Sequence, residues 1–252
     1  EICACLVGSE MCIRDSDSPS GRTRIDSVLM AQKVKNVTGF EVMPHICCRD
    51  KNAIAMRSTF LGASINDINN FLIITGDPIP VMARQVVKSV FNFDSVGLMR
   101  IADEMNSEAL KDSPLTYGGA INQSRRRIES EIKRVQKKME AGAEFFLTQP
   151  VFTAEDAERL RRVKEETGAR ILCGIMPLVS RKNALFMKNE ISGVNVTDEV
   201  IERYPENADR EDGENVGVEL AKEMIAATRD FADGYYFSFP FNRTYLLKRI
   251  IQ

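Results

Sequence analysis

A repeated alternation of two patterns, running from about residue 26 to the end of the chain, constrains the fold most strongly. Apolar runs of strand length end in Gly, Pro, Thr or Asn, and amphipathic stretches of helix length follow them. The strand candidates are FEVMPHICC (40–48), NFLIITGDP (70–78), SPLTYGGAIN (113–122), EFFLTQPVF (144–152), ARILCGIMPL (169–178) and GYYFSFPFN (234–242). Because these runs are apolar throughout, they predict strands that are buried on both faces, as in a parallel sheet.

The segments between the strands have helical spacing. One helix is predicted by apolar residues that share a face, namely Ile128, Ile132, Val135 and Met139. Gly142 is placed to end that helix, and Thr153 is placed to cap the next one. Residues 194–212 are typical of an inserted helix with a polar connection, and residues 214–234 of a long helix that ends in glycine.

Repeated βα units favour right-handed crossovers and a parallel sheet. Six such strands predict a (β/α)8 TIM barrel, or most of one. Residues 17–252 are accordingly predicted to form a single βα-barrel domain. An open doubly wound sheet is the alternative, but such a sheet normally has a glycine-rich turn after its first strand, and the sequence contains no GxGxxG.

The composition argues against several classes of protein. The net charge is −2 and the pI is about 5.7, so no nucleic-acid or membrane-surface partner is indicated. No apolar run approaches the ~18–20 residues that span a bilayer, and the first residues do not form a signal peptide. Cys47, Cys48 and Cys173 do not suggest a disulfide framework, which predicts a cytoplasmic location.

The carboxyl ends of the predicted strands are where a βα barrel builds its active site. The sequences there are PHICC, TGDP, GGAIN, TQP, GIMP and FPFNR. Asp77 is the best-placed carboxylate, and Gln149 can both donate and accept hydrogen bonds at the edge of a heterocycle. Each motif also has a plainer interpretation, because Asp77-Pro78, TQP and GIMP are typical of turns that end strands.

Two further groups of residues have alternative interpretations. His45 with Cys47 and Cys48 suggests a metal site, but Cys48 would point to the opposite face of the strand and no other histidine exists, so no metal is predicted. His45 is then either a structural or a ligand-contacting residue. The second group is a cluster of basic residues in one helix region. Two interpretations stay open for it, a solvated helix face or a binding site for a diphosphate. Its members are Arg125, Arg126, Arg127, Lys133, Arg134, Lys137 and Lys138.

Taken together, these strand ends resemble the methylenetetrahydrofolate reductase family. The matching pieces occur in the family's order from about residue 17 onward, and they are EVMPHICCRDKN, FLIITGDP, VFNFDSVGLM, KRVQKKMEAGAEFFLTQPVF, GIMPLVSRKNALFMKNE and FSFPFNRTYLL. The chain most resembles the reductase half of bifunctional homocysteine S-methyltransferase/methylenetetrahydrofolate reductase proteins. The resemblance therefore leaves open whether the parent gene also encodes a fused methyltransferase domain.

The resemblance implies a βα barrel that binds FAD. In this family NAD(P)H reduces the flavin, and the flavin then reduces 5,10-methylenetetrahydrofolate to 5-methyltetrahydrofolate, a step of one-carbon metabolism and methionine biosynthesis. The expected partner is thus a folate, and a homo-oligomer is compatible with the resemblance. The cofactor supplies the redox chemistry, and the barrel supplies positioning and electrostatics.

The resemblance also implies roles for individual residues. The implied cofactor-binding positions are His45, Thr75, Gly76, Asp77, Phe91, Asn92, Gly118, Asn122, Glu131, Arg134, Lys137 and Lys138. The implied folate-binding positions are Asp77, Gln149, Asn183 and Arg243, of which Asp77 and Gln149 are the catalytic candidates. Gly118 and Asn122 differ from an aromatic residue and a histidine that some members have there.

The opening EICACLVGSEMCIRDS has no counterpart in this resemblance. The family begins with a strand that bears a general-acid glutamate, then a helix and a second strand, and residues 1–16 are too few to supply them. The resemblance therefore implies an incomplete barrel, with its first one or two strands missing or replaced. We expect residues 1–16 to be non-native read-through and folate reduction by this chain to be impaired, since a general acid typically contributes ~10²–10⁴-fold. Reduction of the flavin by NAD(P)H does not need that acid.

Two other function classes compete with the reductase. The first is a non-catalytic barrel fragment that binds flavin or folate without turnover. The second is a different barrel enzyme, either a Schiff-base aldolase or a pterin-binding transferase. An aldolase needs a lysine on a barrel strand, and none of the six strand candidates contains one.

Overall fold

A computed structural model of the chain describes residues 3–7, 10–15, 17–18, 21–191, 193–207 and 209–252, with side chains from residue 17 onward. The strands in this part of the chain are β1 (Cys3–Val7), β2 (Glu10–Asp15), β3 (Glu41–Cys47), β4 (Asn70–Ile74), β5 (Thr116–Ile121), β6 (Phe145–Pro150), β7 (Ile171–Ile175) and β8 (Gly234–Phe237). The helices are α1 (Ser27–Thr38), α2 (Ala53–Ser64), α3 (Ser95–Ser107), α4 (Ile128–Glu140), α5 (Ala154–Thr167), α6 (Arg181–Glu190), α7 (Asp198–Glu202), α8 (Arg210–Thr228) and α9 (Leu246–Ile251). The alternation of strands and helices confirms an α/β fold.

Two compact units are distinguished within the described residues. The first consists mainly of the chain up to Ala120 together with Arg134–Phe146, and the second mainly of Ile121–Lys133 and Leu147–Gln252. The single domain over residues 17–252 stays a prediction, and so does the non-native origin of residues 1–16. Strands β1 and β2 lie inside that opening segment.

In the first unit, β2, β3, β4 and β5 pair in parallel. Ile13 pairs with Val42, His45 with Leu72, and Phe71 with Tyr117. Six of the seven residues of β3 are buried, from Val42 to Cys47. The prediction of parallel strands buried on both faces is therefore confirmed in this unit, where Phe60 of α2 packs edge-on against Phe71 of β4 at 5.2 Å between ring centroids.

In the second unit, β7 and β8 also pair in parallel, with Cys173 opposite Tyr235. The predicted cap of α5 is confirmed, because the Thr153 hydroxyl accepts the N–H of Asp156 at 3.1 Å. The predicted inserted helix is α7. The long helix predicted over 214–234 instead runs from Arg210 to Thr228, so the predicted end in glycine is wrong and Gly234 begins β8. The Asp209 carboxylate accepts the N–H of Asp212 at 2.9 Å and caps the start of the helix.

The face predicted for α4 is largely buried, with Ile128, Ile132 and Val135 at 6% exposure or less. Gly142, which follows the helix, has a φ of +89° that glycine adopts readily. A Cβ at Gly142 would also collide with the hydroxyl of Tyr117. The glycine therefore lets the chain leave the helix and pass close to β5.

Helix α8 packs against the segment after β7 through two glycines one turn apart, Gly213 and Gly217. A Cβ at Gly217 would collide with the carbonyl oxygen of Leu178, a backbone atom that cannot rotate away. We expect Gly217→Ala to lower the free energy of unfolding by about 1–3 kcal/mol, as overpacking does. Urea unfolding of the purified variant would measure this loss.

The matched control is Gly62→Ala in α2. A Cβ at Gly62 would meet no atom within 4 Å. Because glycine inside a helix costs about 0.5–1 kcal/mol relative to alanine, Gly62→Ala is expected to stabilise the protein slightly. Equal stability of the two variants would contradict the close packing of α8.

Candidate functional site

The TGDP turn ends β4 in the first unit. Gly76 has a φ of +92°, and a Cβ there would lie 3.0 Å from Cβ of Cys47 and 3.4 Å from Cβ of Arg49. The Thr75 hydroxyl accepts the N–H of Ser95 at 3.2 Å, which ties the turn to α3. The turn thus packs tightly onto the end of β3 and leaves Asp77 exposed to solvent.

A buried arginine that the sequence analysis missed supports this turn. Arg49, 2% exposed, donates from Nη1 to the carbonyl of Asp77 at 3.2 Å and from Nη2 to the carbonyl of Ser18 at 2.9 Å. The same guanidinium binds both carboxylate oxygens of Asp50, at 2.9 and 2.6 Å. A charged pair directly after a buried apolar strand, the RD of CCRD, is the signal that could have revealed it.

The end of β3 also holds His45 and two buried thiols. His45 is 8% exposed, and its backbone carbonyl accepts the Ser27 hydroxyl at 2.8 Å. Burial is the main cause that raises the pKa of Cys47 and Cys48 to about 12, so both stay protonated thiols near neutral pH. Within the residues that the structure describes, no three His, Cys, Asp or Glu side chains form a metal-binding group.

The segment between the TGDP turn and α3 exposes apolar side chains. Its exposed large apolar residues are Val81, Met82, Val86, Val87, Val90 and Phe91. The N–H of Val90 donates to the carbonyl of Arg49 at 2.7 Å, and the Asn92 side-chain oxygen accepts the N–H of Ala53 at 3.3 Å. The two positions implied by resemblance, Phe91 and Asn92, therefore lie on a segment that is anchored to β3 and α2.

Gly118 and Lys138 have clear packing roles in the first unit. A Cβ at Gly118 would collide with the ring of Phe145, so close packing by itself requires this glycine. Lys138, 4% exposed, donates from Nζ to the carbonyl of Ala120 at 2.5 Å. Lys137 is exposed and Arg134 is half-buried, which leaves Lys137 as the most accessible of these cations.

In the second unit, Glu131 holds the turn after β5. Its carboxylate, 2% exposed, accepts the N–H of Asn122 at 2.9 Å and pairs with Nε of Arg125 at 2.9 Å. The Asn122 side-chain oxygen accepts the N–H of Ser124 at 3.0 Å. The structure thus brings two predicted residues, Asn122 and Glu131, into direct contact.

A second residue that the sequence analysis missed makes two hydrogen bonds to the backbone of the catalytic candidate Gln149. Gln123 is fully buried, donates to the carbonyl of Gln149 at 3.0 Å, and accepts the N–H of Gln149 at 3.1 Å. Arg159 donates in turn to the carbonyl of Gln123 at 2.7 Å. The backbone of Gln149 is therefore fixed while its side chain stays half-buried at the end of β6.

The two remaining folate candidates also have protein partners. The side-chain oxygen of Asn183, at the start of α6, accepts the N–H of Val179 at 3.2 Å. Arg243 follows β8, and its Nη1 lies 2.8 Å from Oε1 of Glu214. The Arg243 guanidinium also lies over the ring of Phe241, 5.8 Å from its centroid.

The family model of methylenetetrahydrofolate reductase matches residues 12–239. The chain belongs to the methylenetetrahydrofolate reductase family. Membership supports an oxidoreductase, and no described helix of this reductase-family chain is long and apolar enough to cross a bilayer. A search of curated proteins finds no match.

Solved structures that the reductase-family chain resembles include 2,3-dimethylmalate lyase, a member of the PEP mutase/isocitrate lyase superfamily, in two crystal forms. For the triclinic form the identity is 14%, the TM-score is 0.47, and the match covers 79% of this chain and 59% of the lyase. For the trigonal form the identity is 14%, the TM-score is 0.47, and the coverage is 81% and 62%. The chain thus spans less than two thirds of the length of either structure.

Proposed function

We propose that this chain is an FAD-dependent reductase that converts 5,10-methylenetetrahydrofolate to 5-methyltetrahydrofolate with NAD(P)H. The observation that carries the proposal is the family match over residues 12–239. A (β/α)8 barrel, a cytoplasmic location and a place in one-carbon metabolism are parts of the same proposal, as is assembly into a homo-oligomer.

The donor set of the first unit fits FAD. An isoalloxazine ring has apolar faces and a polar edge, and a diphosphate is an anion that lysine and arginine bind well. The first unit contains the polar Thr75-Gly76-Asp77 turn, the exposed apolar residues that follow it, and the accessible cation Lys137. When bound, FAD supplies the hydride-transfer chemistry that amino-acid side chains lack.

In this proposal the chain's own residues bind and orient the folate. The carboxylate of Asp77 stabilises the positive charge that develops on the folate as its five-membered ring opens. The side-chain amide of Gln149 donates and accepts hydrogen bonds at the heterocycle edge. The two hydrogen bonds from Gln123 fix the backbone of Gln149. Arg243 binds an electron-rich or anionic part of the substrate.

Anaerobic spectroscopy of the purified chain mixed with FAD tests the proposal. We expect a bound-flavin spectrum after gel filtration, and we expect it to bleach on addition of NADH or NADPH. The bleached protein should recover its colour, at the impaired rate expected of this chain, when 5,10-methylenetetrahydrofolate is added, since the folate is then the electron acceptor. The control is the same sequence of additions with free FAD.

Three other results would each contradict a different part of the proposal. Bound flavin that never bleaches would point to a binding module without turnover. Bleaching without recovery on folate would leave a flavin reductase with a different acceptor. A folded chain that takes up no FAD would overturn the proposed cofactor.

A further inference from the structure

Glu214 lies in the second unit on α8, and its side chain is 7% exposed. Its Oε1 accepts hydrogen bonds from Nε of Arg210 at 2.9 Å and from Nη1 of Arg243 at 2.8 Å. The same oxygen accepts the hydroxyl of Tyr245 at 2.5 Å, and Oε2 lies 3.8 Å from Nη1 of Arg249. One shielded carboxylate therefore gathers three arginines and a tyrosine.

The carboxylate of Glu214 is kept in its charged form. Burial alone raises the pKa of this carboxyl. The hydrogen bonds from Tyr245 and Arg210, with the arginine charges, outweigh that effect, so the pKa lies below its ordinary value. A charged carboxylate binds a guanidinium through charge-assisted hydrogen bonds, which are stronger and more directional than neutral ones.

The loop that carries Arg243 needs such an anchor. Phe241 and Asn242 have φ values of 57° and 58°, in the left-handed region that is unfavourable for residues other than glycine. Strain of this kind persists only where the surrounding contacts over-determine the conformation. The contact between Glu214 and Arg243 is one such constraint, and it fixes the guanidinium above the ring of Phe241, which is 71% exposed.

We propose that Glu214 is a positioning residue that holds Arg243, and through it the exposed ring of Phe241, in the orientation that binds the folate. The inference rests on the proposed function, because Arg243 is there a folate-binding residue. Glu214 itself is too shielded to contact the substrate. Of the side chains that Glu214 contacts, Arg243 is the one that the proposal places at the folate, so the effect of Glu214 on folate binding should be transmitted through Arg243.

A double-mutant cycle tests this with 5-methyltetrahydrofolate as the probe and isothermal titration of the FAD-loaded protein as the measurement. We expect Glu214→Gln to weaken binding at least about tenfold and Arg243→Gln to do the same. In the double variant we expect no further weakening beyond that of Arg243→Gln. Bleaching of the flavin by NAD(P)H should stay at the wild-type rate in Glu214→Gln.

The matched control is Glu223→Gln on the same helix. Glu223 also pairs with an arginine, Arg203, at 2.5 and 2.7 Å, but the carboxylate is 49% exposed. The Glu223→Gln variant is therefore expected to bind folate as tightly as the wild type. Tyr245→Phe removes one hydrogen bond from Glu214 and keeps the charges, so it should weaken binding two- to threefold, roughly, and it tests the proposal even if Glu214→Gln does not fold.

Several outcomes would overturn the inference. The inference is wrong if the Glu214→Gln variant binds folate as tightly as the Glu223→Gln variant. It is also wrong if the Tyr245→Phe variant binds folate as tightly as the wild type. Additive losses in the double variant would show that Glu214 acts by another route. A wild-type chain that takes up FAD but binds no folate would instead overturn the proposed substrate, and the inference with it.

Discussion

The Asp77→Asn variant is expected to reduce folate about 10²–10³-fold more slowly than the wild type, the range seen when one electrostatic stabiliser is removed. The change keeps the size of the side chain. It also keeps the turn, because Arg49 binds the backbone carbonyl at position 77 and not the side chain. It removes the negative charge that, in the proposed function, stabilises the opening folate ring. Anaerobic stopped-flow mixing of the NAD(P)H-reduced protein with 5,10-methylenetetrahydrofolate would measure the rate.

Two comparisons isolate the effect of the Asp77 charge. In the same variant, bleaching of the flavin by NAD(P)H should slow less than folate reduction, because the positive charge on the folate develops only in the second step. The control variant Asp112→Asn alters another exposed aspartate of the first unit and should behave as the wild type. Folate reduction at the wild-type rate by Asp77→Asn would show that the carboxylate has no part in the reaction.

The apolar runs were sufficient to locate six strands, but they predicted strands that are longer than those in the structure. The run predicted over 234–242 forms a strand only over Gly234–Phe237. The residues that follow are still apolar, yet Phe241 and Asn242 turn into the left-handed region. The run over 70–78 ends similarly at Ile74, ahead of the turn at Gly76. Burial does continue past the end of β8 to Phe239, which is 8% exposed, but Phe241 is 71% exposed, so an apolar run marks neither the end of a strand nor the end of burial.

The contacts that support the site were not predictable from local sequence. Arg49 reaches Asp77 across 28 residues, Gln123 reaches Gln149 across 26, and Glu214 reaches Arg243 across 29. Each contact depends on which elements the fold makes adjacent, and no spacing pattern encodes it. At Gly118 the packing of Phe145 already requires a glycine, so the cofactor contact that the resemblance implies there stays a prediction.

The Arg49→Met variant is expected to lose about 1.5–3 kcal/mol of unfolding free energy, the contribution of hydrogen bonds that involve a charged group. The Asp50 carboxylate that is left behind is 38% exposed, so the variant leaves no uncompensated buried charge there. Methionine fills much of the arginine's volume, so the loss arises mainly from polar groups and not from a cavity. Without the guanidinium, the partly buried hydrogen bonds to the carbonyls of Asp77 and Ser18 are lost together with the pair with Asp50. Urea unfolding monitored by circular dichroism would measure the change.

Two arginine variants separate this mechanism from a simple loss of charge. Arg49→Lys keeps the charge but cannot reach Asp50, Asp77 and Ser18 together, so we expect a loss between those of the wild type and Arg49→Met. Arg57→Met removes an exposed ion pair with Glu104, whose partners are 38% and 51% exposed, and should cost less than about 1 kcal/mol. If Arg49→Met were no less stable than Arg57→Met, the guanidinium would not be what joins the ends of β3 and β4, and the rigidity of the TGDP turn would have to come from Gly76 and Thr75 alone.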